Sequence, residues 1–210
     1  MVRVLVVDDH PLIRRGIVQT LKDEFPDGII TEAVDAVGTM TAVWEQGLDL
    51  VLLDLSLPGR SGLDLLKEIK SVRPKLPVLI VSMHPEEQFA VRALRAGAAG
   101  YLSKDCPPAT LLQAARRAMA GGKFVTPETA ERLASELAAD TAKPSHEQLS
   151  DREYDVFLRI SSGQSVSDIA NTLNLSVKTV STYRTRVLQK MGKHSNAELI
   201  QYSIRNHLVE

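Results

Sequence analysis

Short apolar runs alternate with amphipathic stretches over the first 120 residues of the chain. Five runs are too short and too rich in Val, Leu and Ile to favour helices, and we interpret them as strands. The predicted strands cover residues 2–7, 29–33, 50–53, 78–82 and 99–102. Helical spacing is found between and after them, at 11–24, 37–46, 62–71, 85–96 and 108–119. Five βα units of this kind predict a doubly wound α/β fold with a parallel sheet covered on both faces.

The pattern changes after Gly121 and becomes helical to the end of the chain. An amphipathic helix is predicted at 127–139, followed by a linker at 140–145. Ser150 and Glu153 have the spacing of a capping box at the start of a helix that ends near 161. Further helices are predicted at 165–173, 176–191 and 196–206. The tight turn between the second and third of these four helices predicts a helix-turn-helix.

Length and composition agree with two soluble domains. The chain has 210 residues, 44% hydrophobic and 24% charged, which is ordinary for globular proteins. We predict domains at residues 1–121 and 148–210, joined by a linker at 122–147 that contains a helix. No apolar run reaches membrane-spanning length and the first residues lack a signal peptide, so we expect a cytoplasmic protein. The single cysteine, Cys106, excludes an intrachain disulfide.

The net charge of -1 conceals a strongly cationic segment. Residues 176–193 contain no acidic residue and five basic ones, Lys178, Arg184, Arg186, Lys190 and Lys193. Basic residues on a helix often form no more than a solvated surface. Here they lie on the second helix of the predicted helix-turn-helix, which favours a polyanionic partner.

Three carboxylates follow predicted strands directly. Asp8 and Asp9 end the first strand and Asp54 ends the third. Ligand sites in open parallel sheets form at the carboxyl ends of strands, so these side chains should converge. Converging carboxylates repel one another unless a cation joins them, and Mg²⁺ is the natural candidate. Ser82 and Lys104 come to the same edge, and the set as a whole indicates phosphoryl chemistry.

Two groups of motifs resemble one known family. The first group resembles the phosphorylation site of bacterial response-regulator receiver domains, and its members are Asp8-Asp9-His10-Pro11, Asp54-Leu55-Ser56-Leu57-Pro58-Gly59, Ser82, Tyr101 and Lys104. The second group resembles the LuxR-type DNA-binding domain, and its members are Leu149-Ser150-Asp151-Arg152-Glu153, Gly163, Ile169-Ala170 and Ser176-Val177-Lys178-Thr179-Val180. In this order they resemble the NarL/FixJ two-component transcription factors. The resemblance implies a flavodoxin-like, five-stranded receiver followed by a four-helix domain.

The resemblance also implies a role for each residue of the acidic pocket. Asp54 would accept a phosphoryl group from a sensor histidine kinase. Asp9 and Asp54 would bind Mg²⁺ directly, Asp8 mainly through water, and Ser56 through its backbone carbonyl. Lys104 would then pair with the phosphoryl group, Ser82 would donate a hydrogen bond to it, and Tyr101 would turn inward. The face formed by 85–96, 99–102 and 108–119 serves dimerisation in many relatives.

The implied function is a phosphorylation-dependent transcription regulator that dimerises and binds double-stranded promoter DNA. It would be no enzyme beyond its own phosphoryl transfer and dephosphorylation, and no membrane partner is expected. On the recognition helix, base contacts are expected from Lys178, Thr179, Ser181, Thr182, Arg184 and Thr185, and phosphate contacts from Arg186 and Lys190. Val180, Val187 and Leu188 should face the domain core. Ser181 and Tyr183 depart from the Lys and His of many relatives.

Two other functions are weighed against this one. Aspartate-nucleophile phosphatases usually carry a second carboxylate two residues after the nucleophile, where this chain has Ser56. An unphosphorylated module that binds RNA or protein is the second alternative, and a DNA-binding assay discriminates it. His10 precedes a proline at a helix start, so we interpret it as structural rather than as a metal ligand. His84 has no partner that the sequence reveals, so we do not interpret it as a metal ligand either. The resemblance implies another role for His84 and Ser56, that of tuning the lifetime of the phosphoryl group.

Overall fold

The computed structural model describes residues 1–45, 47–138, 145–206 and 208–209. Its contacts divide the chain into two compact units, Met1–Ala138 and Ala139–Glu210. The domain boundaries predicted from the sequence remain predictions. Among the described residues, no helix is both long enough and apolar enough to cross a bilayer.

The first unit contains one five-stranded sheet, as predicted. The strands are β1 (Arg3–Val7), β2 (Ile29–Ala33), β3 (Leu50–Leu53), β4 (Val78–Ser82) and β5 (Gly100–Ser103). All neighbouring pairs are parallel, in the order β2-β1-β3-β4-β5. Every residue of β3 and β4 is buried, which explains why these strands appear as continuous apolar runs.

Five helices cover the two faces of the sheet. They are α1 (Pro11–Glu24), α2 (Ala36–Glu45), α3 (Gly62–Val72), α4 (Glu86–Arg95) and α5 (Pro108–Met119). Pro11 and Pro108 occupy the first turn, where a missing amide hydrogen leaves no bond unmade. The Ser61 hydroxyl caps α3 by accepting a hydrogen bond from the Leu63 amide at 3.3 Å. The doubly wound fold is therefore confirmed.

The two edges of the sheet differ: in the part of the chain that the structure describes, a segment at Phe124 pairs with β5, and β2 is the outermost strand at the other edge. The Phe124 amide donates to the Ala99 carbonyl at 2.8 Å, and Phe124 forms a parallel bridge with Gly100 of β5. A Cβ on Gly100 would lie 2.5 Å from the Phe124 carbonyl oxygen, so the close approach requires glycine. At the opposite edge, β2 has exposed and half-buried residues over most of its length.

A sixth helix, α6 (Pro127–Ala138), belongs to the first unit and packs against α4. The sequence predicts it at 127–139. Its start is bound by Glu86, whose Oε1 accepts hydrogen bonds from the Thr126 hydroxyl at 2.5 Å and the Thr129 hydroxyl at 2.6 Å. Of the predicted linker at 140–145, residues 140–144 lie outside the described residues.

The second unit is helical, as predicted. It contains a 3₁₀ turn (Ser145–Gln148) and helices α7 (Asp151–Ser161), α8 (Val166–Thr172), α9 (Val177–Met191) and α10 (Asn196–Arg205). The sequence did not predict the 3₁₀ turn, whose His146 ring nitrogen lies 2.9 Å from the Tyr202 hydroxyl. The capping box of Ser150 and Glu153 is present. The core includes Phe157, Ile169, Val180, Val187 and Leu199.

Candidate functional sites

The three carboxylates predicted to converge do so at the carboxyl ends of β1 and β3. The sheet register places them there, because the Asp54 amide donates to the Val7 carbonyl at 2.9 Å. Asp8 and Asp54 are both only 2% exposed, and Asp9 lies nearer the surface. Possible ligand atoms of Asp8, Asp9, His10 and Asp54 all lie within 4.8 Å of one another.

Lys104 enters this pocket from the residue after β5. Its Nζ lies 2.7 Å from Asp54 Oδ2 and 2.8 Å from Asp8 Oδ2, and its side chain is 2% exposed. Burial raises the pKa of Asp54 above its usual value, and the neighbouring ammonium opposes that rise only in part. Burial alone would lower the pKa of Lys104, but the charge and hydrogen bonds of the two aspartates raise it. The ammonium therefore stays charged among these carboxylates.

The pocket offers oxygen donors that suit a hard divalent cation. Lys104 contacts Asp8 and Asp54, and within the described residues Asp9 Oδ1 is buried without a hydrogen bond of good geometry. The nearest basic atom to Asp9 Oδ1 is His10 Nδ1 at 2.9 Å. A cation among these oxygens would satisfy the buried Asp9 atom, so the residues present fit a metal ion.

His10 lies closer to the pocket than the sequence suggested. Its Nδ1 is 3.2 Å from Asp8 Oδ1 and 4.0 Å from Asp54 Oδ2, and its backbone amide donates to Asp8 Oδ1 at 2.8 Å. The side chain is 55% exposed. The backbone contact agrees with the structural role that we predicted, and the ring adds a half-exposed basic group at the mouth of the pocket.

Ser82 and Tyr101 lie next to each other beside the pocket. Ser82 is fully buried at the end of β4, and its Oγ accepts a hydrogen bond from the His84 amide at 3.1 Å. The Tyr101 hydroxyl donates to the His84 carbonyl at 2.8 Å. Burial raises the pKa of Tyr101, although a hydrogen bond with Ser82 opposes the rise. Tyr101 is 2% exposed and thus already lies inward in this structure.

His84 and Ser56 meet across the pocket, which the sequence did not reveal. His84 Nε2 lies 3.1 Å from Ser56 Oγ, and the two residues are 28 positions apart in the chain. The imidazole also packs on Phe89, with ring centroids 4.7 Å apart. The Ser56 amide donates to Asp54 Oδ1 at 3.1 Å, so Ser56 contacts the predicted phosphoacceptor directly.

The cationic helix α9 presents one face to its own domain and another to solvent. Val180 and Val187 are buried as predicted, and Leu188 is half-buried. Most of the predicted DNA contacts are exposed, namely Lys178, Ser181, Thr182, Thr185, Arg186 and Lys190, while Thr179 and Arg184 are half-buried. The Thr182 and Thr185 hydroxyls each donate to a carbonyl one turn earlier at 3.0 Å.

Two basic side chains of α9 are held by neighbours within the unit. Arg184 Nε donates to Asn196 Oδ1 at 2.7 Å. Lys190 Nζ donates to the buried Glu153 Oε2 at 2.6 Å, so an ion pair already engages this predicted phosphate contact. Burial raises the pKa of Glu153, but the hydrogen bonds from Lys190 and Ser150 outweigh it and hold the pKa below its usual value.

Family comparisons match both units. Residues 4–116 match the response regulator receiver domain, and residues 147–203 match the luxR family of bacterial regulatory proteins. Among curated relatives, the response regulator GacA of Pseudomonas viridiflava is 36% identical over 211 residues, covering 100% of this chain and 99% of GacA. The response regulator UvrY of Escherichia coli K12 is 34% identical, covering 99% of this chain and 96% of UvrY.

Solved structures extend the similarity to nearly the whole chain. The RcsB response regulator of Salmonella typhimurium is 27% identical, with a TM-score of 0.56, over 96% of this chain and 98% of RcsB. An RcsB–DNA complex matches at 27% identity and a TM-score of 0.58, covering 96% of each chain. Two RcsB dimers bound to two parallel DNAs match at 26% identity and a TM-score of 0.58, over 96% of this chain and 97% of RcsB.

Proposed function

The chain belongs to the two-component response regulators that carry a LuxR-type DNA-binding domain, and on this premise we propose that phosphorylation of Asp54 controls its binding to promoter DNA. One observation carries the proposal. A buried lysine bridges Asp54 and Asp8 at the carboxyl edge of the sheet, at 2.7 and 2.8 Å. This arrangement places a buried ammonium beside the oxygen that would carry a phosphoryl group.

Asp54 acts as the nucleophile in the proposed reaction. One of its oxygens attacks the phosphorus of a phosphohistidine on a sensor kinase, the phosphorus–nitrogen bond breaks, and an aspartyl phosphate forms. Asp9 and Asp54 would hold Mg²⁺, with Asp8 acting through water and Ser56 through its carbonyl. When bound, Mg²⁺ offsets the negative charge on the transferring oxygens. Apart from this transfer and the loss of its own phosphoryl group, the protein is no enzyme.

New hydrogen bonds to the phosphoryl group would have the size that a switch needs. Moving a two-state equilibrium from 1:99 to 99:1 takes about 5.5 kcal/mol. Charge-assisted hydrogen bonds contribute about 1.5–3 kcal/mol each. The Ser82 hydroxyl and a backbone amide would each donate a new bond. Lys104 already bonds Asp54 and Asp8, so its exchange of an aspartate oxygen for a phosphoryl oxygen adds only the difference between the two bonds.

The output is binding of double-stranded promoter DNA by a dimer. RcsB, which matches this chain over both units, is known in complex with DNA and as dimers on DNA. In this chain α9 would enter the major groove, because its exposed surface carries cations and hydroxyls. Lys178, Arg186 and Lys190 are exposed basic residues of α9, and Lys190 would have to leave Glu153 to reach a phosphate.

Mass spectrometry after incubation with acetyl phosphate and Mg²⁺ tests the first step. We expect one phosphoryl group on the wild type, none on Asp54→Asn, and one on the control Asp64→Asn, whose carboxylate lies on the surface of α3. DNA binding is then measured with fragments selected from genomic DNA by the wild type. Equal affinity with and without the phosphodonor contradicts the switch. Sustained turnover of a phosphomonoester would favour a phosphatase instead.

A further inference from the structure

Arg184 is oriented by a residue outside the helix-turn-helix. The helix α9 ends at Gly192, which has the left-handed conformation with φ of 63°, and the chain turns back there. The Lys193 amide donates to the Leu188 carbonyl at 2.9 Å, and Ser195 caps the next helix. This turn brings Asn196, the first residue of α10, beside the middle of α9. Its Oδ1 then accepts the 2.7 Å hydrogen bond from Arg184 Nε.

We propose that Asn196 is a positioning residue for DNA recognition, an inference that rests on the proposed role of α9. The bond to Nε fixes the plane of the guanidinium and, in the described part of the chain, leaves its two Nη groups for a ligand. Those two groups form the edge that binds two acceptor atoms on a phosphate or on a guanine. Fixing the plane before binding reduces the conformational entropy that Arg184 loses on the duplex. The amide of Asn196 itself needs no contact with DNA.

A double-mutant cycle tests this role, with a duplex that the wild type selects from a random-sequence library. We expect Asn196→Ala to weaken binding by about three- to tenfold, which corresponds to one ordered side chain. Arg184→Ala should weaken it at least as much. In the Arg184→Ala background, Asn196→Ala should have no further effect, because Asn196 acts through Arg184.

Salt dependence separates positioning from direct contact. If Arg184 binds a phosphate, Arg184→Ala lowers the slope of log affinity against log salt by about 0.9. Asn196→Ala keeps the arginine and so leaves the slope unchanged. Additive losses in the cycle would overturn the inference, since a general disturbance of α10 weakens binding with or without Arg184. An unchanged DNA affinity of Asn196→Ala would also overturn the inference about Asn196. If the wild type selects no duplex at all, the proposed role of α9 in DNA binding is wrong.

A second inference comes from a different set of contacts, those that join the pocket to α6. Ser82 accepts from the His84 amide, Tyr101 donates to the His84 carbonyl, and Glu86 begins α4 two residues later. Glu86 Oε1 in turn accepts from Thr126 and Thr129 at the start of α6. Thr129 is 3% exposed, so its hydroxyl depends on this partner. Two sets of hydrogen bonds, joined by the backbone from His84 to Glu86, therefore link the pocket to α6.

We call the hydrogen bonds of Glu86 with Thr126 and Thr129 the Glu86 clasp. The structure assigns to this clasp the coupling of the pocket to α6. The inference deepens the proposed function and rests on it. When Ser82 moves toward a phosphoryl group to donate to it, we expect the segment from His84 to Glu86 to move with it, because the His84 amide is bonded to the Ser82 hydroxyl. Because the Glu86 carboxylate holds both threonine hydroxyls, α6 follows that shift or is released from it. The clasp is the element through which phosphorylation reaches the residues that follow α6.

Two variants test the clasp, each with a matched control. Thr129→Val keeps the side-chain shape and removes the hydroxyl, with Thr41→Val on the exposed side of α2 as its control. Glu86→Ala removes the acceptor, with the exposed neighbour Glu87→Ala as its control. We expect both clasp variants to take up a phosphoryl group as the wild type does. Allosteric couplings typically change a binding affinity by about 5- to 150-fold. We therefore expect the gain in DNA affinity on phosphorylation to fall at least about threefold in Thr129→Val and in Glu86→Ala. In the two control variants the gain should stay within about 1.5-fold of the wild-type value.

Hydrogen exchange provides a second measurement, because it reports on the backbone amides of α6 directly, which DNA affinity does not. In the wild type, phosphorylation should change the protection of the first amides of α6, and in Thr129→Val it should not. An unchanged gain in both clasp variants overturns the clasp and leaves the proposed function intact. A wild type that takes up the phosphoryl group without any gain in affinity overturns both.

Discussion

Replacing Lys104 with methionine should destabilise the protein strongly in the absence of divalent cations. Methionine keeps much of the apolar stem and removes the ammonium, which leaves Asp8 and Asp54 without their shared cation. All three side chains are at most 2% exposed. Removing one partner of a buried ion pair costs about 3–5 kcal/mol, because the remaining charge is buried and uncompensated.

A surface pair in the same unit provides the matched control. Lys67 lies 4.0 Å from Asp64, and both side chains are about half exposed. Such pairs contribute about 0–1 kcal/mol, so Lys67→Met should change the free energy of unfolding by no more than that. The measurement is urea unfolding at pH 7 in EDTA. Equal losses for the two variants would show that the pocket is far more hydrated than its burial indicates.

Magnesium and pH should each reduce the loss in Lys104→Met. A cation that binds only the folded state stabilises it by about 2.7 kcal/mol at 100 times its dissociation constant. Burial already raises the pKa of Asp54, and loss of the ammonium removes what opposes that rise. The folded variant then binds a proton before the unfolded chain does, so the difference from wild type shrinks as the pH falls through the raised pKa. A difference that stays constant as the pH is lowered to the onset of acid unfolding would contradict this account.

Three further predictions concern single positions. Ser150→Ala should lower the free energy of unfolding by about 1 kcal/mol through loss of the α7 cap, measured by urea unfolding of the full chain. Glu153→Gln should be less stable than wild type above the usual glutamate pKa near 4.5, and the difference should vanish as the pH falls through the lowered pKa, since protonated Glu153 loses its bond to Lys190. Gly62→Ala should be strongly destabilised and lose phosphoryl uptake in the mass assay, because its Cβ would lie 2.3 Å from the Asp54 carbonyl oxygen. Normal uptake by Gly62→Ala would mean that the backbone beneath Asp54 yields easily.

The buried strands were predictable because burial on both faces imposes apolar runs that are too short and too rich in Val, Leu and Ile to favour a helix. Residues 50–53 and 78–82 were predicted with the same bounds that β3 and β4 have. Helix ends were predictable where a cap or proline marks them, as at Pro11 and Ser150. The 3₁₀ turn at Ser145–Gln148 was not, because its contact with Tyr202 joins residues 56 positions apart.

The pocket was predictable for a topological reason. Parallel strands end at one edge, so Asp8, Asp54 and Lys104 had to meet once the strands were recognised. The partners of long side chains were not predictable, because they depend on rotamers and on turns between elements. The contacts of His84 with Ser56, of Lys190 with Glu153 and of Arg184 with Asn196 are of this kind.

The Phe124 segment beside β5 determines where the protein is exposed to aggregation. An uncovered strand edge offers amides and carbonyls that can recruit a strand of another molecule. With β5 bridged by Phe124, β2 is the other edge strand of the sheet within the described residues. The substitution Gly100→Ala would displace Phe124 and leave the amides and carbonyls of β5 unpaired at a second sheet edge. We expect such a variant to aggregate, with turbidity and fibre formation, while the contacts of both functional sites remain.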